Sequence, residues 1–110
     1  MKRIAMPIAK GKVSDHFEEF EHFLIYDFND PNCIREEIGH PPSSNPDELP
    51  GWFNKSGVTD IFARGISYEE IKKLNHNKIH VFVGVPQKKP EDLLIDYMNR
   101  KLETDETMHY

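Results

Sequence analysis

Apolar residues along the chain recur with two different periods, and the change from one to the other marks out the elements. Ile4, Met6 and Ile8 alternate with shorter or polar neighbours, which predicts a first strand over residues 2–9, ended by Gly11. Phe23-Leu24-Ile25-Tyr26-Asp27-Phe28 is an aromatic and β-branched run that predicts a second strand. The turn sequence Asn29-Asp30-Pro31-Asn32 follows it, and residues 33–38, with Ile34 and Ile38 on one side, complete a hairpin. The second strand is therefore expected to run antiparallel to its neighbours. Between the first two strands, Phe17, Phe20 and Phe23 have the spacing of a short helical turn that packs the loop onto the sheet.

Residues 39–46, Gly-His-Pro-Pro-Ser-Ser-Asn-Pro, form a stiff loop, because their prolines fix the backbone and remove donors. A helix beginning near Asp47 or Pro50 carries Trp52 and Phe53 and stops at Gly57. Residues 58–63 read as a buried strand. Ser67-Tyr68-Glu69-Glu70 has the form of a capping box, opening a helix that buries Ile71 and Leu74 and ends around residues 75–77. Ile79, Val81, Phe82, Val83 and Val85 make a near-continuous apolar strand, the pattern of a sheet covered on both faces, and Pro86 stops it. Pro90 opens the last helix, with Glu91 and Asp92 in its first turn and Leu93, Leu94, Tyr97, Met98 and Leu102 on one face. The order β-β-β-α-β-α-β-α predicts a three-layer α/β/α domain. Its five-stranded mixed sheet is mostly parallel, with the second strand antiparallel.

Composition narrows this picture. A chain of 110 residues is one domain by length, here residues 1–103, with the polar and aperiodic residues 104–110 expected to form a flexible tail. A formal net charge of −5 argues against a general partner in nucleic acid or an anionic membrane surface. No apolar stretch reaches the length of a membrane span and the N-terminal residues lack an apolar leader, so a cytoplasmic protein is expected. The single cysteine, Cys33, rules out a disulfide within the chain and a four-cysteine zinc or iron–sulfur site. It falls in the hairpin, away from the edge where ligands are expected.

Ligands of open α/β sheets sit beyond the carboxyl ends of the parallel strands. That edge gathers residues 10–20, 39–45, 64–67 and 86–89, together with the start of the antiparallel strand. Three of the six histidines, His16, His22 and His40, are thereby expected on one rim, with Ser14 and Asp15 beside them. Arg64-Gly65-Ile66-Ser67 lies between a strand and a helix N-terminus, where free amides and Arg64 suit an anion. The glycine patterns of nucleotide sites are absent. His76 and His80 flank a helix-to-strand turn and are expected to face solvent.

Ile4-Ala5-Met6-Pro7-Ile8-Ala9, Val13-Ser14-Asp15-His16-Phe17 and the Phe23–Asp27 run resemble the dinitrogenase iron–molybdenum cofactor biosynthesis family, which includes NifX-like and NifB C-terminal domains. The resemblance continues through Pro41-Pro42, Leu49-Pro50-Gly51-Trp52-Phe53, Gly57-Val58-Thr59-Asp60-Ile61 and Val83-Gly84-Val85-Pro86. It implies a ribonuclease-H-like motif and a nitrogenase-accessory role without turnover, in which a metal–sulfur cluster or cofactor precursor is held and passed between donor and acceptor proteins. Family loops often carry a thiol shortly after the Ser-x-His-Phe segment, where this chain has Glu18-Glu19-Phe20-Glu21-His22. The glycine-rich turn after the fourth strand is here Arg64-Gly65-Ile66-Ser67.

On that resemblance, His16 and His22, with His40, are expected as terminal ligands to iron or molybdenum. Ser14 and the 64–67 segment, including Arg64, Gly65 and Ser67, would donate to cluster sulfides or an anionic cofactor, and Asp15 would orient a histidine. The alternative is a small-anion or metabolite sensor, or a protein-interaction module of the same fold, without cluster binding. A ribonuclease-H type enzyme would need clustered carboxylates for two metal ions, yet Asp27 and Asp60 are expected at the far edge from Asp15.

Overall fold

The structure, a computed structural model, describes residues 1–29, 32–43 and 45–110, the side chains of Cys33 and Ile34 excepted. Its strands are β1 (Lys2–Ala9), β2 (Lys12–Val13), β3 (His22–Asn29), β4 (Asn32–Gly39), β5 (Asp60–Phe62) and β6 (His80–Phe82); its helices are α1 (Leu49–Lys55), α2 (Tyr68–His76) and α3 (Pro90–Met98). The sheet order is β4-β3-β1-β5-β6, with β2 paired to β1. β1, β5 and β6 are parallel, and β3 is antiparallel to both β1 and β4. Apart from the two-residue β2, this is the five-stranded mixed sheet that the sequence predicts. The extra strand arises because Lys10 and Gly11 both take positive φ (54° and 78°), the conformation of a two-residue hairpin whose twist suits its strands.

Alternation along the strands builds two cores. Ala5, Phe23, Ile25 and Ile61 face α1 and α2, where Leu49, Phe53 and Leu74 close the layer. Ile4, Met6, Ile8, Tyr26, Phe28 and Phe62 face the other way, against Leu93 and Leu94 of α3. Each strand thus shows opposite side chains to opposite helices, as a period of two requires, and the result is three layers.

Several local expectations are revised. Phe17 and Phe23 are fully buried, but residues 15–20 form turns and bends with no helical turn; a bridge from His16 to Gly65 anchors the loop instead. The strand expected over residues 79–85 is regular only through Phe82, because Gly84 takes φ +71° and bends the chain. As the sheet's edge it leaves His80 exposed and Val81 and Phe82 half-buried. Ile38 is exposed on the opposite edge strand. The turn expected at residues 29–32 and the placement of the Cys33 and Ile34 side chains lie partly or wholly outside the described residues.

Ser67 caps α2 by accepting from the Glu70 amide at 3.1 Å. The reciprocal half of the expected box is not seen: the buried Glu70 carboxylate lies 3.7 Å from Lys73 through one oxygen, and its other oxygen is buried without a hydrogen-bond partner. Residues 104–110, expected as a loose tail, run back along the carboxyl edge through main-chain hydrogen bonds to Val83, Ile66 and Tyr68.

Candidate functional site

The carboxyl edge is built from the loop after β1–β2 and the connection between β5 and α2. Gly65 donates to the Asp15 carbonyl at 2.9 Å, and the Phe17 amide donates to the Gly65 carbonyl at 2.8 Å. These two bonds lock the loops side by side. Gly65 is buried, and a Cβ there would stand 2.8 Å from the Asp15 carbonyl oxygen and 3.3 Å from His16 Nδ1. Only hydrogen fits beneath the imidazole, while the His16 side is exposed to solvent.

Ser14 is buried, and its hydroxyl lies 2.8 Å from the carbonyl oxygens of both His16 and Glu19, between which its single proton is shared. It pins the loop from inside, so its hydroxyl does not face a ligand. Asp15 accepts from Arg64 Nε at 3.1 Å and from Gln87 Nε2 at 2.9 Å. Arg64 also donates to the Val85 carbonyl at 2.8 Å. Both groups assigned to ligand handling from sequence are thus partnered with each other, and Arg64 fastens three segments of the edge. Ser67 belongs to the α2 cap. A shallow cavity of about 340 Å³ beside this loop is bordered by Lys10, Lys12, Asp15, Glu19 and Gln87.

The three rim histidines divide into two places. His22 and His40 face each other with ring centroids 6.1 Å apart, brought together because Phe23 pairs with Gly39 in the β3–β4 ladder. His16 instead stands beside Gly65 and Tyr110, whose ring centroid is 6.2 Å away in an edge-on arrangement. Among the described residues, no group of three or more His, Cys, Asp or Glu side chains could hold a metal ion. The expectation of one centre ligated by all three histidines is therefore not met by this geometry. The antiparallel ladder fixes His22 beside His40, whereas the bridge to Gly65 ties His16 to the next strand along. Asp27 and Asp60 sit at the other end of the strands, held by Arg3 and Lys2.

Three contributors were missed from sequence. Gln87 lies in the 86–89 loop assigned to this edge, so its position could have been read. Tyr110 and Glu18 could not: the Tyr110 hydroxyl donates to Glu18 across 92 residues at 3.0 Å, and an aromatic in a polar tail announces no partner. Burial, and then the hydrogen bond to Glu18 and its charge, push the Tyr110 phenol above its ordinary pKa.

The three-layer domain thus carries His16, His22 and His40 along one edge of a mixed sheet. The dinitrogenase iron–molybdenum cofactor family model matches residues 1–100, and the chain belongs to that family. Among solved structures, PH0822 is similar at 26% identity, with a TM-score of 0.84 and coverage of 94% of this chain and 96% of that one. A protein of Methanocaldococcus jannaschii described as a candidate dinitrogenase is 20% identical, with a TM-score of 0.72 and coverage of 94% and 93%. The apo form of the orange protein from Desulfovibrio gigas shares the fold at 15% identity, with a TM-score of 0.74 and coverage of 96% and 93%. No curated protein matches. No helix among the described residues is long and apolar enough to cross a membrane.

Proposed function

We propose that the chain is a non-catalytic carrier, acting in the cytoplasm, for a metal–sulfur cluster or an iron–molybdenum cofactor precursor. The cargo sits on the outer face of the rim that residues 14–19 and 64–67 form together, and is handed between a donor and an acceptor protein. The observation that carries this reading is the exposed His16 imidazole standing over Gly65 in a member of this family. Imidazole suits iron and related metals, and a sulfide-bridged cargo brings its own sulfur, so a rim without a thiol can still supply a terminal ligand. The His22–His40 pair forms a second place where a metal can be held in transit. Asp15, engaged by Arg64 and Gln87, steadies the loop and does not orient His16 directly.

Anaerobic addition of iron, sulfide and molybdate to the purified apoprotein, followed by desalting, tests the reading through metal content and the visible spectrum. A stoichiometric coloured species on the wild type that is lost in His16→Ala is the expected result. A colourless, metal-free wild type overturns it.

A further inference from the structure

Residues 104–110 lie across the same edge and use its donors. The Ile66 amide donates to the Met108 carbonyl at 3.3 Å, the Tyr110 amide to the Ile66 carbonyl at 3.0 Å, and the Tyr68 amide, at the first position of α2, to the main-chain oxygen of Tyr110 at 2.5 Å. Ile66 and His109 form a parallel bridge. Farther back, the Asp105 amide donates to Val83 at 2.9 Å, and the Asp105 backbone passes so close to Gly84 that a Cβ there would fall 2.2 Å from its carbonyl oxygen. At its far end the segment brings the Tyr110 ring beside His16 and its hydroxyl to Glu18.

The amides at residues 66 and 68 are the ones that a strand-to-helix connection would offer an anion, and here the chain itself takes them. The segment is also lightly held. Only Met108 packs against the core, and Asp105, Glu106, Thr107, His109 and Tyr110 are all exposed. An element whose own side chains are mostly exposed and that is fastened mainly by backbone hydrogen bonds opens at low cost.

We infer that residues 104–110 form an autoinhibitory strap that must leave the 66–68 amides and the flank of His16 before a metal–sulfur cargo seats there. This rests on the carrier reading. Closed strap lowers the apparent affinity by the fraction of molecules that are open, and removing it restores the intrinsic value. Release of the strap then becomes the step at which a donor or acceptor protein controls loading.

The test compares the whole chain, a chain lacking residues 104–110, and Tyr110→Ala, each checked for fold by circular dichroism. Hydrogen exchange at the Ile66 and Tyr68 amides reads the strap without any cargo; loading with iron and sulfide reads its effect. The expected result is faster exchange at both amides on truncation and cluster binding about tenfold tighter, with Tyr110→Ala between the two. If truncation unfolds the chain, Tyr110→Ala carries the comparison alone. Equal exchange, or equal loading by folded variants, overturns the strap and leaves the carrier reading standing. Loading by none of the three overturns the carrier reading, and the strap inference falls with it.

Discussion

Gly65 and His16 are joined by a parallel bridge, and the space beneath the imidazole is too small for a methyl group. A Cβ on Gly65 meets the Asp15 carbonyl oxygen at 2.8 Å, a backbone atom that cannot swing aside. Gly65→Ala must therefore push the 14–17 loop off the β5–α2 connection. A loss of about 1–2 kcal/mol is expected, the range for forcing a methyl group into a packed position. Thermal unfolding measures the loss, and a shift of the His16 ring resonances shows that the imidazole has moved.

At the opposite end of the strands, Arg3 ties three strands together. It donates to Asp27 on β3 at 2.5 Å and to Glu37 on β4, while its Nε is buried without a partner. Removing the guanidinium in Arg3→Ala takes one charged partner from the partly buried Asp27 and from Glu37, although Glu37 keeps its 2.9 Å contact with Arg35. A cost of about 2 kcal/mol follows from losing hydrogen bonds to charged groups, read as a lower urea midpoint with little change in slope. Cluster loading at the far edge is expected to survive.

Glu70 predicts a pH dependence of stability. Burial is the main cause that raises its pKa, opposed by Lys73. The folded carboxyl therefore keeps its proton to higher pH than the unfolded one. Between the ordinary value and the raised one the native state binds more protons, so stability falls as pH rises through that window. Glu70→Gln is expected to be more stable than wild type at neutral pH, by up to about 1 kcal/mol. The advantage shrinks as the pH falls from the raised value to the ordinary glutamate pKa, and stays small below it. Denaturant midpoints at pH 4 and pH 7.5 check the sign.

The parts of the fold legible in the sequence are those whose causes are local. Alternation at Ile4, Met6 and Ile8, the proline at the start of α3 and Ser67 ahead of α2 each act within a few residues. The two cores follow from the period of two in β1 and β3. The rim was located because strand direction alone decides which loops share an edge. What the sequence could not disclose depends on pairings between distant segments. Whether His16 joins His22 or Gly65 is set by which backbone bridges which, and the ladder answers by placing His40 opposite His22. The same holds for Arg64: its charge reads as free in the sequence, yet Asp15, 49 residues away, holds it. Glu70 matches a capping box by spacing, but the carboxylate turns toward Lys73 instead. The final residues look unstructured by composition because their partners are the backbone of Val83, Ile66 and Tyr68, and backbone hydrogen bonding leaves no mark on residue type.

The central claim is that His16, rather than the His22–His40 pair, ligates the cargo. Pulsed electron paramagnetic resonance on the reduced, iron–sulfide-reconstituted protein tests it most directly, using chains with 15N-labelled histidine. Nitrogen coupling to the cluster is predicted in the wild type, in His22→Ala and in His40→Ala, and is predicted to vanish in His16→Ala. A cluster without histidine coupling, or a coupling that persists in His16→Ala, would contradict the account.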